Sequence, residues 1–349
     1  MEGWLYYNMK YTDKQIVFTE KNKADLLEVE CRPVGDYDVK VKTCFTTISS
    51  GTEKANITGC QDTSPFTQKG NSVIFPRVSG YSASGIVVEK GSCVDSLEIG
   101  DKVAISWSNH RKYNVVNEKQ AVKFDEGVTM EEASMAHIAT FSLAAIRKAR
   151  IEIGESAMVT GLGILGLVGV GLLRVAGAIP IIAVDPIEER RKKALLFGAD
   201  YAFDPYDKDF YEKVKEVSGG GVNVAIEVTG NGAGLNVTLD CMKKFGRVSL
   251  LGCTRDSNFT VDYYRKVHGP GISLIGAHTM ARPQVESSPT LFTVADDMKT
   301  VLSLCSKGRI DLKSIIDETY SPTECEGVYK KLVNDKTFPT VVQFDWSEV

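Results

Sequence analysis

Gly161-Leu162-Gly163-Ile164-Leu165-Gly166 has the spacing G-x-G-x-x-G, and the chemistry open to such a loop is the cradling of a pyrophosphate. The spacing alone is weak, because glycine is common. Its flanks make it specific. Residues 156–160 (Ser-Ala-Met-Val-Thr) read as a buried strand, residues 167–176 as a helix, and residues 180–184 (Pro-Ile-Ile-Ala-Val) as a second strand running into Asp185, an acid about 20 residues beyond the loop. Gly161 permits the tight turn, Gly163 lets backbone approach the phosphates, and Gly166 lets helix and strand pack closely. The helix N-terminus adds unpaired N–H groups and a partial positive charge. A carboxylate at 185 accepts both ribose hydroxyls and repels a 2′-phosphate, so the expected cofactor is NAD rather than NADP. Arg190 and Arg191 offer a phosphate site in principle and read better as exposed helix positions.

The same stretch has a rival reading as a membrane span, since residues 164–184 are long enough to cross a bilayer. Arg174 sits inside that run, Pro180 breaks it and Asp185 closes it. The N-terminus (Met1-Glu2-Gly3-Trp4-Leu5-Tyr6-Tyr7) lacks a basic segment followed by an apolar core. No membrane association is expected. A formal charge of −4 over 349 residues also argues against a nucleic-acid or anionic-membrane surface. The eight cysteines are scattered without a C-x-x-C pair, which favours reduced thiols in a cytoplasmic protein over a disulfide framework or a zinc ribbon.

The elements that must hold this loop change character along the chain. Up to about residue 125 the pattern is short and alternating, as in Asp38-Val39-Lys40-Val41-Lys42 and in residues 84–91, which close on a glycine turn. This is the grammar of a β-barrel or sandwich. From Thr129, an expected N-cap with Glu131 and Glu132 in the first turn, a helix is predicted to 149. Strands then alternate with helices: strands at 201–203, 222–228, 246–251 and 272–277 join the first two in a doubly wound parallel sheet. One further amphipathic helix carries Val294, Met298, Val301, Leu302 and Cys305 on one face. Residues 341–344 are expected to return to the first domain. Thr229, Gly252 and Gly276, at or near strand ends, join Gly161, Gly163, Ile164, Leu165, Gly166 and Asp185 as expected cofactor contacts.

This layout resembles the medium-chain dehydrogenase/reductase superfamily, which includes the zinc alcohol and polyol dehydrogenases. The resemblance rests on residues 80–87 (Gly-Tyr-Ser-Ala-Ser-Gly-Ile-Val), similar to the family's G-H-E-x-x-G-x-V, on Gly100-Asp101-Lys102-Val103, similar to its G-D-R-V, and on Glu131-Glu132-Ala133, the glycine loop and Phe197-Gly198-Ala199-Asp200. It implies a GroES-like β-barrel catalytic domain from residues 1–126 and 286–349, a Rossmann domain from 127–285, and a homodimer or homotetramer. The segment Ser49-Ser50-Gly51-Thr52-Glu53 further resembles a subgroup with a Ser-x-Gly-Thr-Glu motif.

The departures from the family matter more. Where zinc relatives carry cysteine in C-G-T-D this chain has Ser50, and where they carry histidine in G-H-E it has Tyr81. In the register of polyol dehydrogenases the third ligand position is His137. The lobe that holds a structural zinc has neither room nor cysteines between Asp101 and Tyr113. Hydroxyl and phenol are poor substitutes for thiolate and imidazole, so a zinc-independent enzyme is expected. A side chain must then exchange the hydroxyl proton. His137 and Tyr81 are the candidates, with Thr52 at the family's proton-relay position and Ser50 placed to bond the substrate oxygen. Glu53, His278 and Arg282 are further candidate substrate contacts. Plainer readings stand beside these. His137 suits a core histidine equally well, Tyr81 a residue that fills the vacated zinc volume, His110 the barrel surface, and His278 and Arg282 a dimer edge.

The expected activity is NAD-dependent interconversion of a secondary alcohol, sugar, polyol or cyclitol-like, and its ketone. The polyol preference comes only from the register at His137. A zinc-free reductase of activated C=C bonds and a non-catalytic nucleotide binder are the alternatives.

Overall fold

The computed structural model describes residues 12–60 and 74–349; the N-terminal residues 1–7, read above for targeting signals, lie outside them. Two compact units emerge, Met1–His137 with Asp317–Val349, and Ile138–Ile316. The division therefore falls later than the 126/127 and 285/286 boundaries that the sequence suggests.

The first unit contains β1 (Thr12–Glu20), β2 (Lys23–Glu30), β3 (Asp38–Thr47), α1 (Ser50–Ile57), β4 (Arg77–Val78), β5 (Ser82–Lys90), β6 (Lys102–Ser106), β7 (Tyr113–Asn117), β8 (Ala121–Lys123) and α2 (Met130–Ala133). Helix α3 (Ala136–Ala149) carries the chain into the second unit. There follow β9 (Ala157–Thr160), α4 (Ile164–Val175), β10 (Ile181–Val184), α5 (Glu188–Phe197), β11 (Tyr201–Phe203), α6 (Phe210–Ser218), β12 (Val222–Glu227), α7 (Gly232–Asp240), β13 (Met242–Leu250), β14 (Ser273–Gly276) and α8 (Val294–Ser306). The chain returns to the first unit with β15 (Glu318–Tyr320), α9 (Cys325–Asn334) and β16 (Val342–Asp345).

In the first unit a seven-stranded sheet runs β15-β16-β3-β5-β6-β8, with β7 also on β3. Alternation of the strand residues buries Val39, Val41, Val87, Val103 and Ile105 in one GroES-like barrel core. The C-terminal return is real: β16 pairs antiparallel with β3, placing Phe344 opposite Thr46. Phe344 and Trp346 are fully buried with Phe18, Ile48 and Tyr329 in a second cluster.

The second unit is the doubly wound sheet, in the order β11-β10-β9-β12-β13-β14, with every pairing parallel. Strands β9 and β10 are buried throughout, as a sheet covered on both faces requires. The order reverses between β9 and β12, and that switch point is where such sheets open a crevice for ligands. Helix α8 buries Met298, Val301, Leu302 and Cys305 as its pattern predicts.

The helix predicted over 129–149 divides into α2 and α3, and the break has a tertiary cause. The Thr129 hydroxyl accepts from the Glu132 N–H while the Glu132 carboxylate accepts from the Thr129 N–H, a capping box that starts α2. Ser84 then donates to the Met130 carbonyl, Gln343 to that of Glu131 and Ser82 to that of Ser134. The Met130 carbonyl also keeps its helical partner, the Ser134 N–H, but that of Glu131 is taken by side chains while the Met135 N–H turns to the Glu132 carbonyl, and α3 starts afresh with His137 in its first turn. Thr129→Ala removes the cap hydroxyl and is expected to cost about 1 kcal/mol, measured as a lower midpoint of urea denaturation.

Candidate active site

In the second unit the glycine loop joins β9 to α4. Gly161 has φ +93°, which a side chain would oppose. A Cβ on Gly166 would stand 1.9 Å from the Gly161 carbonyl oxygen, whereas at Gly163 it would meet nothing within 4 Å. Gly166 is therefore fixed by packing, and Gly163 leaves backbone open to a ligand. Gly163 is also the N-cap of α4, with no side chain bonding the first-turn N–H groups; these, at Ile164 and Leu165, are the donors that a pyrophosphate needs.

Asp185 follows β10 and is 3% exposed. Its carboxylate accepts from the Leu162 N–H at 2.8 Å and from the Ile187 N–H at 2.8 Å, and Arg190 approaches one oxygen at 3.7 Å. The acid read from sequence as a ribose contact thus also ties the glycine loop to the end of β10. Each oxygen has lone pairs left for a sugar hydroxyl. Arg191 is taken by the Asp185 carbonyl and by Asp204.

Thr229 and Gly252 lie beside this loop. Thr229 donates from its N–H and hydroxyl to buried Glu227, whose carboxyl is pushed above its ordinary value by burial, against the pull of those bonds. A Cβ on Gly252 would collide with the Gly230 backbone, and one on Gly161 would meet Thr229. Gly276 ends β14, opposite Leu250 at the end of β13. Loop, Asp185, Thr229, Gly252 and Gly276 all stand at C-terminal ends of parallel strands, the side that binds ligands in such sheets.

The substrate candidates divide. Arg282 is no surface contact. Its side chain is 2% exposed, donates to the Thr140 carbonyl at 2.9 Å and pairs with Asp297 at 3.2 Å. Asp297, fully buried, also accepts from Arg147 at 2.9 Å, and burial pushes its carboxyl up to about 6 against the two guanidinium groups. Arg282 pins the segment after β14 to α3 and α8. His278 is partly buried, its Nδ1 accepts from the Met280 N–H at 3.2 Å, and burial, then Lys148, lowers its pKa.

In the first unit Tyr81, Trp107 and His137 form an aromatic cluster. The His137 ring lies 5.7 Å from that of Tyr81 and 4.7 Å from that of Trp107, edge to face with both. His137 is 0% exposed. Its Nδ1 lies 2.5 Å from the Tyr81 carbonyl; a carbonyl only accepts, so Nδ1 carries the hydrogen and Nε2 is the basic atom of the neutral ring. Tyr81 is partly exposed, and its hydroxyl donates to Ser49. Trp107 has φ +56°, a left-handed conformation rare for a bulky side chain; its N–H donates to the Tyr81 carbonyl at 2.9 Å.

Glu53 and His110 do not sit where the sequence suggests. Glu53 is 1% and His110 0% exposed, so neither a substrate-facing acid nor a barrel-surface histidine fits. They bond each other at 3.0 Å. Ser50 and Thr52 stand partly exposed in the first turn of α1, and it is Ser49, not Ser50, that meets Tyr81. Sequence reading missed Ser49, Trp107 and Tyr329. Ser49 alone had a signal, as the first residue of Ser-x-Gly-Thr-Glu.

At the three positions where zinc relatives carry ligands the donors are a serine hydroxyl, a phenol already bonded to Ser49 and one imidazole. That set does not fit zinc. Among the described residues no three His, Cys, Asp or Glu side chains form a group able to hold a metal, all eight cysteines are free, and no helix is long and apolar enough to cross a membrane.

Residues 165–293 match the family model of the zinc-binding dehydrogenases, a stretch that contains none of positions 50, 81 and 137. L-threonine 3-dehydrogenase of Thermococcus kodakarensis is 27% identical over 333 residues, spanning 85% of this chain and 87% of the relative. D-guloside 3-dehydrogenase of Escherichia coli K12 is 27% identical over 290 residues, 77% of this chain and 82% of the relative. The solved structure of galactitol-1-phosphate dehydrogenase from Escherichia coli superimposes with a TM-score of 0.81 at 17% identity, covering 95% of this chain and 99% of that one. Together with this sheet order and glycine loop, these likenesses support the medium-chain dehydrogenase/reductase superfamily, and with it an oxidoreductase.

Gly166→Ala forces a methyl group against the Gly161 carbonyl. Fluorescence titration with NADH is expected to show affinity lowered by about tenfold or more, since the phosphate-binding backbone must move.

Proposed function

We propose that this protein is an NAD-dependent oxidoreductase that interconverts a secondary alcohol of the sugar or polyol kind and its ketone, with a tyrosine in place of zinc at the substrate oxygen. One observation carries the proposal: a partly exposed phenol, bonded to a neighbouring hydroxyl and braced through its backbone by a buried imidazole, stands at a position where relatives carry a zinc ligand. The two curated relatives support the substrate class, because their names place the oxidation at position 3 of the substrate.

The nicotinamide ring, when bound, accepts or returns the hydride. The chain's residues handle the proton. Tyr81 donates its hydroxyl hydrogen to the substrate oxygen in the reducing direction and takes it back in the oxidising one. Ser49, which accepts that hydrogen at rest, has one of its own to give, so two hydroxyls in series serve the same oxygen. His137, fully buried, fixes the Tyr81 backbone through Nδ1 and is assigned that bracing role rather than contact with substrate. Asp185 favours NAD: a 2′-phosphate would bring its charge against a carboxylate already held at 3% exposure.

Turnover of L-threonine, sorbitol, 2,3-butanediol and an enone, each tried with both nicotinamide cofactors, tests the reading. A kcat/KM about tenfold or more higher with NAD is expected, together with a narrowed ratio in Asp185→Ala. Turnover of the enone alone, or a clear preference for NADP, overturns it. Tyr81→Phe is expected to lower kcat by about 10²–10⁴. Metal analysis of protein purified without chelator is expected to find far less than one zinc per chain; a full equivalent would refute the tyrosine mechanism.

A further inference from the structure

Behind the Tyr81–Ser49 hydrogen bond lies a carboxylate–imidazole pair that touches neither an open surface nor any expected ligand. Glu53 accepts from the Ser49 N–H at 2.8 Å, from Tyr329 at 2.5 Å and from His110 Nε2 at 3.0 Å. His110 Nδ1 meets the Thr46 hydroxyl at 2.7 Å, which also accepts from the Trp346 indole at 3.0 Å. The same histidine holds the other partner. Its N–H donates to the Ser79 carbonyl at 2.9 Å, and its ring packs so tightly on Gly80 that a Cβ there would lie 2.9 Å from it, at a glycine with φ +87°. Gly80 immediately precedes Tyr81. One buried pair thus grips the chain beside the phenol and the backbone of the serine to which that phenol donates.

We propose that Glu53 and His110 are positioning residues for the Tyr81 hydroxyl, fixing its separation from Ser49 from both sides; the proposal rests on the reading of Tyr81 as the group that acts on the substrate oxygen. Neither residue reaches substrate. Their role is geometric: a shift of about 1 Å in a reacting group costs up to about a hundredfold in rate. A pair serving only the barrel core would instead change stability and leave the chemistry of folded protein alone.

Glu53→Gln keeps the volume and removes the charge. It is expected to lower kcat about tenfold or more, assayed with NAD and the best-turned-over alcohol of L-threonine, sorbitol and 2,3-butanediol. The Kd for NADH should stay unchanged. In the crystal structure of the variant the Tyr81 hydroxyl should lie beyond hydrogen-bonding distance of Ser49, a readout that needs no substrate. The double variant with Tyr81→Phe should be no slower than Tyr81→Phe alone, because the pair acts through that hydroxyl. Wild-type kcat in Glu53→Gln, losses that multiply in the double variant, or an unmoved Tyr81–Ser49 contact overturns the proposal. Undiminished kcat in Tyr81→Phe is a different failure and removes the role of Tyr81 itself. Should Glu53→Gln not fold, Tyr329→Phe takes one donor from Glu53 with little change of volume. The same signs are then expected at smaller size, and their absence is equally decisive.

Discussion

A carboxylate in the interior of the first unit sets the terms for much around it. Glu53 is 1% exposed, and an ionised carboxyl cannot be left there without donors, since the desolvation cost is several kcal/mol. The donors come from three distant parts of the chain: Ser49 at the head of α1, His110 between β6 and β7, and Tyr329 on α9. Satisfying one charge therefore ties the start of the unit to its C-terminal return. Tyr329 responds as such a neighbour should, its phenol pushed well above its ordinary pKa by burial and then by the Glu53 charge.

The second unit rests on a steric rule. Gly161 and Gly166 are in contact, with no space for a Cβ between them, and this closes the turn that leaves Gly163 open. Asp185 adds an electrostatic tie by accepting from Leu162 inside the loop. On the proposed reading, loop geometry and cofactor preference are partly the same interaction, because the carboxylate proposed to bind the ribose also holds the backbone of the glycine loop.

Legibility differed between the two. The loop, Asp185 and the alternating strands were plain in the sequence, since glycine spacing, strand burial and helix starts are local and each has its own signal. The split of the helix over 129–149 was not, because it depends on Ser82 and Gln343 reaching across from other strands. Arg282 reads in sequence as a candidate ligand contact because its buried partner, Asp297, lies on α8 among apolar residues and carries no local signal of that pairing.

By itself the sequence determined the doubly wound sheet, the barrel-like first unit and the dinucleotide loop, along with the replacement of two zinc-type donors by Ser50 and Tyr81. Only the tertiary structure decided the neighbours of the polar residues. Ser49 rather than Ser50 meets Tyr81, His110 is buried against Glu53, and His137 spends its Nδ1 hydrogen on a backbone carbonyl. The reason is physical. Periodicity and glycine placement report how a segment meets water and its own turns, whereas a buried polar atom takes whichever partner the folded chain brings within about 3 Å, and no local pattern carries that distance.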